Sequence, residues 1–310
     1  MDKLGQMIKN KKLLNFIVIT QRRMKEAEMG SSGVVVAYYL MLSLFPLIMA
    51  VGSILPYLKL DPSTVLPYIQ ELMPAEIYQQ LEPAITSLLT QSSTGLVSFS
   101  ALATLWAASK SVNALQGAMN KAYGVEARRN FFVAKLVSFM MMFLLIIALL
   151  GVMVVLGLGQ EILNWLQSVF HFSLSIVDTF SALKWPVVIV GLVIVMCLIY
   201  RLLPNAQIRT RDVWPGALFT SCGWVLLSQV FGLYLSYFSP AMASYQIIGS
   251  FIVLMLWLNL ASSIIILGGI INAVLAEYRS GTELKERKGI LARIKKLVGK
   301  EEVDKKRIDD

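Results

Sequence analysis

The sequence is short of charge. Only 15% of its 310 residues are Asp, Glu, Lys or Arg, where a soluble domain of this size carries about a quarter. Histidine occurs once, as His171, with no acidic residue beside it. Cysteine occurs twice, Cys197 and Cys222, both within apolar stretches. That excludes a disulfide framework and any metal site built on C-x-x-C or Cys/His spacing, and leaves two core thiols. G-x-S-x-G, H-E-x-x-H, P-loop and G-x-G-x-x-G patterns are absent. No carboxylates pair at i, i+3 or i+4 inside an apolar stretch, where a buried metal or acid–base site would want them. A nuclease or phosphatase needs clustered carboxylates for its metal ions. An ATP-driven pump needs a nucleotide-binding domain, and no soluble stretch is large enough to be one. An enzyme is therefore not expected, and no cofactor is implied.

Apolar residues fill the space that charge leaves: the chain is 56% hydrophobic, with a mean hydropathy of +0.67. Crossing about 30 Å of hydrocarbon takes about 20 mostly apolar helical residues. Six windows qualify, at 34–55, 95–115, 131–158, 185–200, 213–237 and 247–276. The fourth is short and the second carries polar residues. Helices are the expected spanning form, because lipid cannot satisfy a free backbone N–H or C=O. The first run starts only at residue 34 and lacks a small-residue cleavage site, so it reads as a span and not a signal. The expected fold is all-α: a polytopic membrane protein with six transmembrane helices.

Six spans place both termini on one side, and the basic residues say which. Seven Lys and Arg precede span one, four lie in the segment between spans two and three with its flank (Lys121, Arg128, Arg129 and Lys135), three between spans four and five, and eleven follow span six. Thus 25 of 28 share one face; Lys59 and Lys184 stand opposite, and Lys110 lies within span two. The positive-inside rule makes that face cytoplasmic, with both termini on it. The net charge of +9 then serves topology and faces anionic lipid. Nucleic acid is not expected as a partner, since no aromatic platform interleaves the basic segments.

Three regions follow: a cytoplasmic, partly amphipathic segment over 1–32, a membrane domain over 33–278, and a basic cytoplasmic tail over 279–310. In the first, Leu4, Met7 and Ile8 share one side among lysines. In the tail, Ile290, Leu291, Ile294, Leu297 and Val298 form a helical stripe ringed by Arg293, Lys295, Lys296 and Lys300. Such a helix lies in the inner-leaflet headgroup region or docks on a partner. The outer segment 57–94 has four prolines and a net charge of −3. It reads as a helical hairpin on the outer surface or dipping back into the bundle, and is a second place for a protein partner.

Span two carries the informative polar residues. Ser98, Ser109, Asn113, Gln116 and Asn120 fall within a wedge of about 80° at 100° per residue. Lys110 sits on its shoulder, either snorkelling to the headgroups or facing the interior. Asn113 and Ser109 are too short to snorkel, so the stripe faces protein or water. In span six, Gly268 and Asn272 share a face with Ala261, the pattern of close helix packing bridged by an amide. In span one, "AYYLMLSLFPLIMAVG" places Tyr38 and Tyr39 at the interfacial belt. Ser43 and Pro46 lie deeper, and Pro46 is expected to kink the helix toward the stripe of span two. Pro215 opens span five, where its missing N–H costs nothing.

Four segments together resemble the YihY/BrkB family of bacterial inner-membrane proteins: "AYYLMLSLFPL", "LWAASKSVNALQGAMNKAYGVE", "YRLLPNAQIRTRDVWPGAL" and "YQIIGSFIVLMLWLNLASSIIILGGIINA". Order and spacing match from about residue 25 to 280. The matching positions are Tyr38, Ser43, Pro46, Lys110, Asn113, Asn120, Tyr123, Gly124, Arg201, Pro204, Asn205, Arg211, Asp212, Pro215 and Asn272. The chain departs from the family at "GGIINA", where Ile270 stands in place of an acidic residue. The resemblance implies a six-helix bundle in the bacterial cytoplasmic membrane. It carries an old ribonuclease label, for which the residues here offer no site, and a suggested role in moving lipids or other amphiphiles. The expected activity is therefore transporter-like. Its polar lining is drawn from Ser43, Pro46, Ser109, Lys110, Asn113, Gln116, Asn120 and Asn272, and Lys110, Arg201 and Arg211 are placed to hold anionic lipid headgroups. A non-catalytic membrane scaffold is the alternative.

Overall fold

The computed structural model describes residues 2–54, 61–71, 75–90, 94–128, 131–153, 174–242 and 246–287, with side chains given for most of them. His171 and the tail stripe at 290–298 lie outside these residues, as does the end of the third window; the side chains of Leu4, Met7, Ile8 and Ser98 are likewise not described. Every extended element among the described residues is helical: α1 (Asp2–Glu26), α2 (Met29–Ile54), α3 (Pro62–Glu71), α4 (Ala75–Thr90), α5 (Thr94–Tyr123), α6 (Phe131–Met153), α7 (Leu174–Leu202), a 3-10 turn (Thr210–Asp212), α8 (Trp214–Met242) and α9 (Gln246–Ser280).

Among the described residues, three stretches are long and apolar enough to cross a membrane: Met29–Met49, Thr210–Leu235 and Phe251–Ser280, with mean hydropathies of 1.9, 1.5 and 2.3. Helices α5, α6 and α7 occupy the other three windows, and α7 contains a shorter apolar stretch, Pro186–Leu202. Exposed Leu136, Phe143, Val190, Leu226 and Ile252 give these helices apolar outer faces, as expected where the solvent is lipid.

Helix ends follow local chemistry. Asp61 accepts the Ser63 N–H at 2.8 Å, and Pro62 fills the first position of α3, where a proline is at home. Gly124 takes φ +62° after α5. Its N–H donates to the Lys121 carbonyl and the Val125 N–H to the Asn120 carbonyl, both at 3.0 Å, which is the Schellman arrangement. At the α1–α2 corner Glu28 adopts φ +43°. Ser32 steadies that corner by donating its hydroxyl to the Ala27 carbonyl at 2.9 Å.

The core forms two clusters. One joins the α5 end, α7, the start of α8 and the second half of α9 around Met119, Tyr123, Tyr200, Val213 and Ile266. The other joins α4 to α2, α8 and α9 around Ile77, Leu81, Leu89, Leu235 and Trp257. The 57–94 segment thus contains two helices, and α4 sinks its apolar stripe into the bundle. Helix α2 packs along α5, and α9 runs against both α2 and α8. Through Pro46 the backbone of α2 remains helical.

Candidate functional site

The polar stripe of α5 divides between two neighbours. Ser109 Oγ accepts from Lys135 Nζ at 3.2 Å, and Asn113 Oδ1 accepts from the Ser138 hydroxyl at 2.7 Å. Lys135 and Ser138 are three apart, so they present one face of α6 to the upper half of the stripe. One turn further on, Gln116 Nε2 donates to the Leu203 carbonyl at 3.1 Å, and Asn120 Oδ1 accepts the Asn205 N–H at 2.8 Å. The helical wheel puts these side chains on one face and says nothing about which neighbour each half meets. Lys110 is exposed, its ammonium 5.8 Å from the centre of the Trp106 ring. Ser43 turns its hydroxyl back to the Leu40 carbonyl at 2.7 Å, and Pro46 is half-buried.

A second polar centre lies where α8 crosses α9. The first turn of a helix leaves N–H groups without intrahelical partners. Here Asn272 of α9 supplies the acceptor: its Oδ1 takes the Gly216 N–H at 2.7 Å. The backbones meet closely, for a Cβ on Gly216 would stand 2.1 Å from the Gly268 carbonyl oxygen. Beside this contact Tyr200 donates to the Ile265 carbonyl at 2.8 Å, and its oxygen lies 2.5 Å from Thr220 Oγ1. With its one proton so used, Tyr200 accepts from Thr220. Here Tyr123 and Asn272 also meet through their buried side chains, and on α8 and α9 Ser221 Oγ and Ser262 Oγ are buried without a protein partner. Each such group costs about 1–3 kcal/mol unless something else satisfies it.

A network of arginines ties the same end of the molecule. Arg23 is 3% exposed and gives Glu277, 5% exposed, two bonds of 2.9 and 2.8 Å, and a third of 2.9 Å to Glu26. Arg22 bonds both Glu277 and Glu283. Partial burial works against the Arg22 cation, but the bonds to these carboxylates outweigh it and raise its pKa. Arg279 donates to Asp212 at 2.8 Å. Arg128 caps the α7 end through the Leu202 and Pro204 carbonyls at 2.9 and 3.3 Å. Burial, with nearby Arg287, brings its pKa down to about 10. Residues 205–207 pair with 285–287 through the Gln207 and Arg287 N–H groups, each 2.8 Å from its acceptor. Arg201 is exposed and bonds Thr210; Arg211 is exposed with its Nε 3.9 Å from Asp212. Arg201 lies in the last turn of α7 and Arg211 in the 3-10 turn that follows it, whereas Lys110 stands apart on α5. Sequence reasoning passed over Glu277, although it is the lone acidic residue of α9, and assigned Arg22 and Arg23 to topology alone.

Among the described residues, no three His, Cys, Asp or Glu side chains come together in a way that holds a metal ion. Apolar-faced helices with bonded polar groups and ion pairs gathered at one end define a helical membrane protein. More specifically, the chain belongs to the family described as virulence factor BrkB, which matches residues 20–289. It is 33% identical over 265 residues to "Putative ribonuclease-like protein YfkH" of Bacillus subtilis, covering 86% of this chain and 94% of that one. It is 28% identical over 169 residues to "UPF0761 membrane protein IL2447" of Idiomarina loihiensis, covering 54% and 57% of the two chains. A similar match, 25% over 124 residues, links it to "UPF0761 membrane protein PSHAa0171" of Pseudoalteromonas translucida, covering 40% and 41%. No solved structure matches. The residues that carry the resemblance meet in space: Asn120 bonds Asn205, Gly124 lies under Arg23, Asp212 receives Arg279, and Asn272 caps the start of α8.

Proposed function

We propose that this protein spans the bacterial cytoplasmic membrane six times, with both termini cytoplasmic, and moves a lipid or another amphiphile through the bundle. The observation that carries this reading is the set of buried polar groups on α5, α8 and α9: Ser221 Oγ and Ser262 Oγ without a protein partner, and the side chains of Tyr123 and Asn272, which have little beyond each other. In a bundle built only to anchor, such groups are a standing cost. Water, or the polar part of a passing molecule, satisfies them. The tied end supports the span count. Lys121 bonds Glu28, Asn120 bonds Asn205, Asp212 receives Arg279, and Arg23 lies against Gly124 and bonds Glu277. The chain from 28 to 121, from 120 to 205 and from 212 to 279 thus leaves that end and returns to it. Such returns imply crossings in pairs, in keeping with the distribution of Lys and Arg.

Reconstitution tests the transport reading. Vesicles carrying the protein should move a headgroup-labelled phospholipid between leaflets faster than empty vesicles, and Ser262→Ala combined with Asn272→Ala should slow the movement severalfold. If the wild-type protein behaves like empty vesicles, the transport reading fails and the scaffold reading takes its place. Function in cells would then depend on residues 281–310 or on the 57–94 helices.

A further inference from the structure

Helix α1 has two apolar faces, and the bundle uses only one of them. The used face holds Phe16, Ile19, Arg23 and Ala27, of which Ile19, Arg23 and Ala27 are buried. The other holds Leu13, Leu14, Ile17, Val18 and Met24, which are 59, 64, 43, 54 and 46% exposed. At 100° per residue these five fall within an arc of about 140°, which toward the C-terminal end of the helix also holds exposed Gln21 and Lys25. The unbroken apolar part is Leu13, Leu14, Ile17 and Val18, and a side chain as long as Lys25 can reach back to the headgroups. Exposed Asn15 and Glu26, with Arg22, fill the narrow polar sector between the two faces. Around its circumference α1 therefore meets protein, then an exposed sector that is apolar over residues 13–18 and carries Gln21 and Lys25 beyond it, then water.

Its position says what the apolar sector meets. Phe16 packs edge-on against Tyr278, with ring centres 5.5 Å apart, while Arg23, seven residues further along α1, bonds Glu277. Seven residues of helix cover about 10 Å, yet both contacts fall on adjacent residues of α9. Helix α1 thus crosses the end of α9 steeply instead of running beside it. The final apolar stretch of α9, Phe251–Ser280, is long enough to span a membrane. A helix that crosses its end lies along the membrane surface at headgroup depth. The corner at Ala27 and Glu28 joins α1 directly to α2, whose first turns expose Val34, Val35 and Tyr38 and so continue the apolar surface. Lys3, Lys9, Lys11 and Lys12 lie upstream in the same helix and suit an anionic leaflet.

We propose that α1 is an in-plane interfacial helix, with its Leu13, Leu14, Ile17, Val18 and Met24 sector inserted into the lipid leaflet at the α9 C-terminal end. The proposal rests on the membrane location and not on transport, so a failed lipid-movement assay leaves it standing. The test uses the full chain with Cys197→Ala and Cys222→Ala, in vesicles of phosphatidylcholine and phosphatidylglycerol. Single cysteines at Ile17, Val18, Asn15 and Glu26 carry nitroxide labels, and Leu14→Cys replaces either apolar position if that variant does not fold. Collisions with oxygen, which concentrates in hydrocarbon, are compared with collisions with a water-soluble nickel chelate equilibrated across the bilayer. The oxygen-to-nickel ratio should be severalfold higher at 17 and 18 than at 15 and 26. Equal ratios at all four positions would mean water on every side and overturn the proposal. Spin–spin broadening at 17 and 18 would mean that a second copy covers the sector, and would overturn it too.

Discussion

At the residue scale the least replaceable group is Glu277. It is buried, and it holds two arginines at once, one of them also buried. Removing one partner of a buried pair leaves a charge without solvent or counter-ion, at a cost of about 3–5 kcal/mol. Glu277→Gln should therefore lower the thermal midpoint in detergent far more than Arg22→Gln, whose side chain is 36% exposed. Equal losses would mean that Arg23 is satisfied elsewhere. The exposed pair of Lys121 and Glu28, 2.7 Å apart, behaves differently. The hydrogen bond from Lys121, followed by its charge, holds the Glu28 carboxyl below the usual range. A depressed carboxylate pKa adds stability above the unfolded value, and that stability is lost as pH falls through the folded one. Glu28→Gln should accordingly be slightly less stable than wild type at neutral pH, with the difference closing under acid conditions. The sequence made Arg22 and Arg23 visible as charge before a span but could not pair them, because their partner lies more than 250 positions away.

At the scale of elements, helix contacts decide which glycines matter. Gly216 and Gly268 let α8 and α9 touch backbone to backbone, and a Cβ on Gly268 would meet Thr220 Oγ1 at 2.1 Å. Gly117 and Gly191, on α5 and α7, have nothing within 4 Å of a new Cβ. Alanine at Gly216 or Gly268 should force the helices apart at a cost of about 1–3 kcal/mol or more. At Gly117 or Gly191 it should gain up to about 1 kcal/mol from helix propensity. Thermal unfolding of the four variants checks the ranking, and a loss at Gly117 equal to that at Gly268 would undo the argument. The Gly268–Asn272 face was legible because small-residue spacing is a local signal. Its partner Gly216 was not, since crossing geometry is set by tertiary packing. The same limit explains the α5 stripe: periodicity found Ser109, Asn113, Gln116 and Asn120 on one side, while only packing divides them between α6 and the 203–205 turn.

For the molecule as a whole, the ties at one end constrain the path of the chain more tightly than hydropathy does. Hydropathy weighs each helix by itself, and it favours α2, α8 and α9 over the more polar α5. The ties weigh helices in pairs. Glu28 meets Lys121, Asn120 meets Asn205, and Asp212 meets Arg279, so each intervening helical excursion must come back. If α2 crosses the membrane, its return requires α5, and polar groups on α5 are tolerable because α6 and the 203–205 turn satisfy them. Cysteine labelling separates this arrangement from one with fewer crossings. In a chain with Cys197→Ala and Cys222→Ala, an impermeant maleimide should label Lys59→Cys and Lys184→Cys in intact spheroplasts. Lys25→Cys, Gln207→Cys and Thr282→Cys should be labelled only after lysis. Because Asn205 is bonded to Asn120, labelling of Gln207→Cys from outside would put the α5 end outside too and require the whole tied end to face away from the cytoplasm.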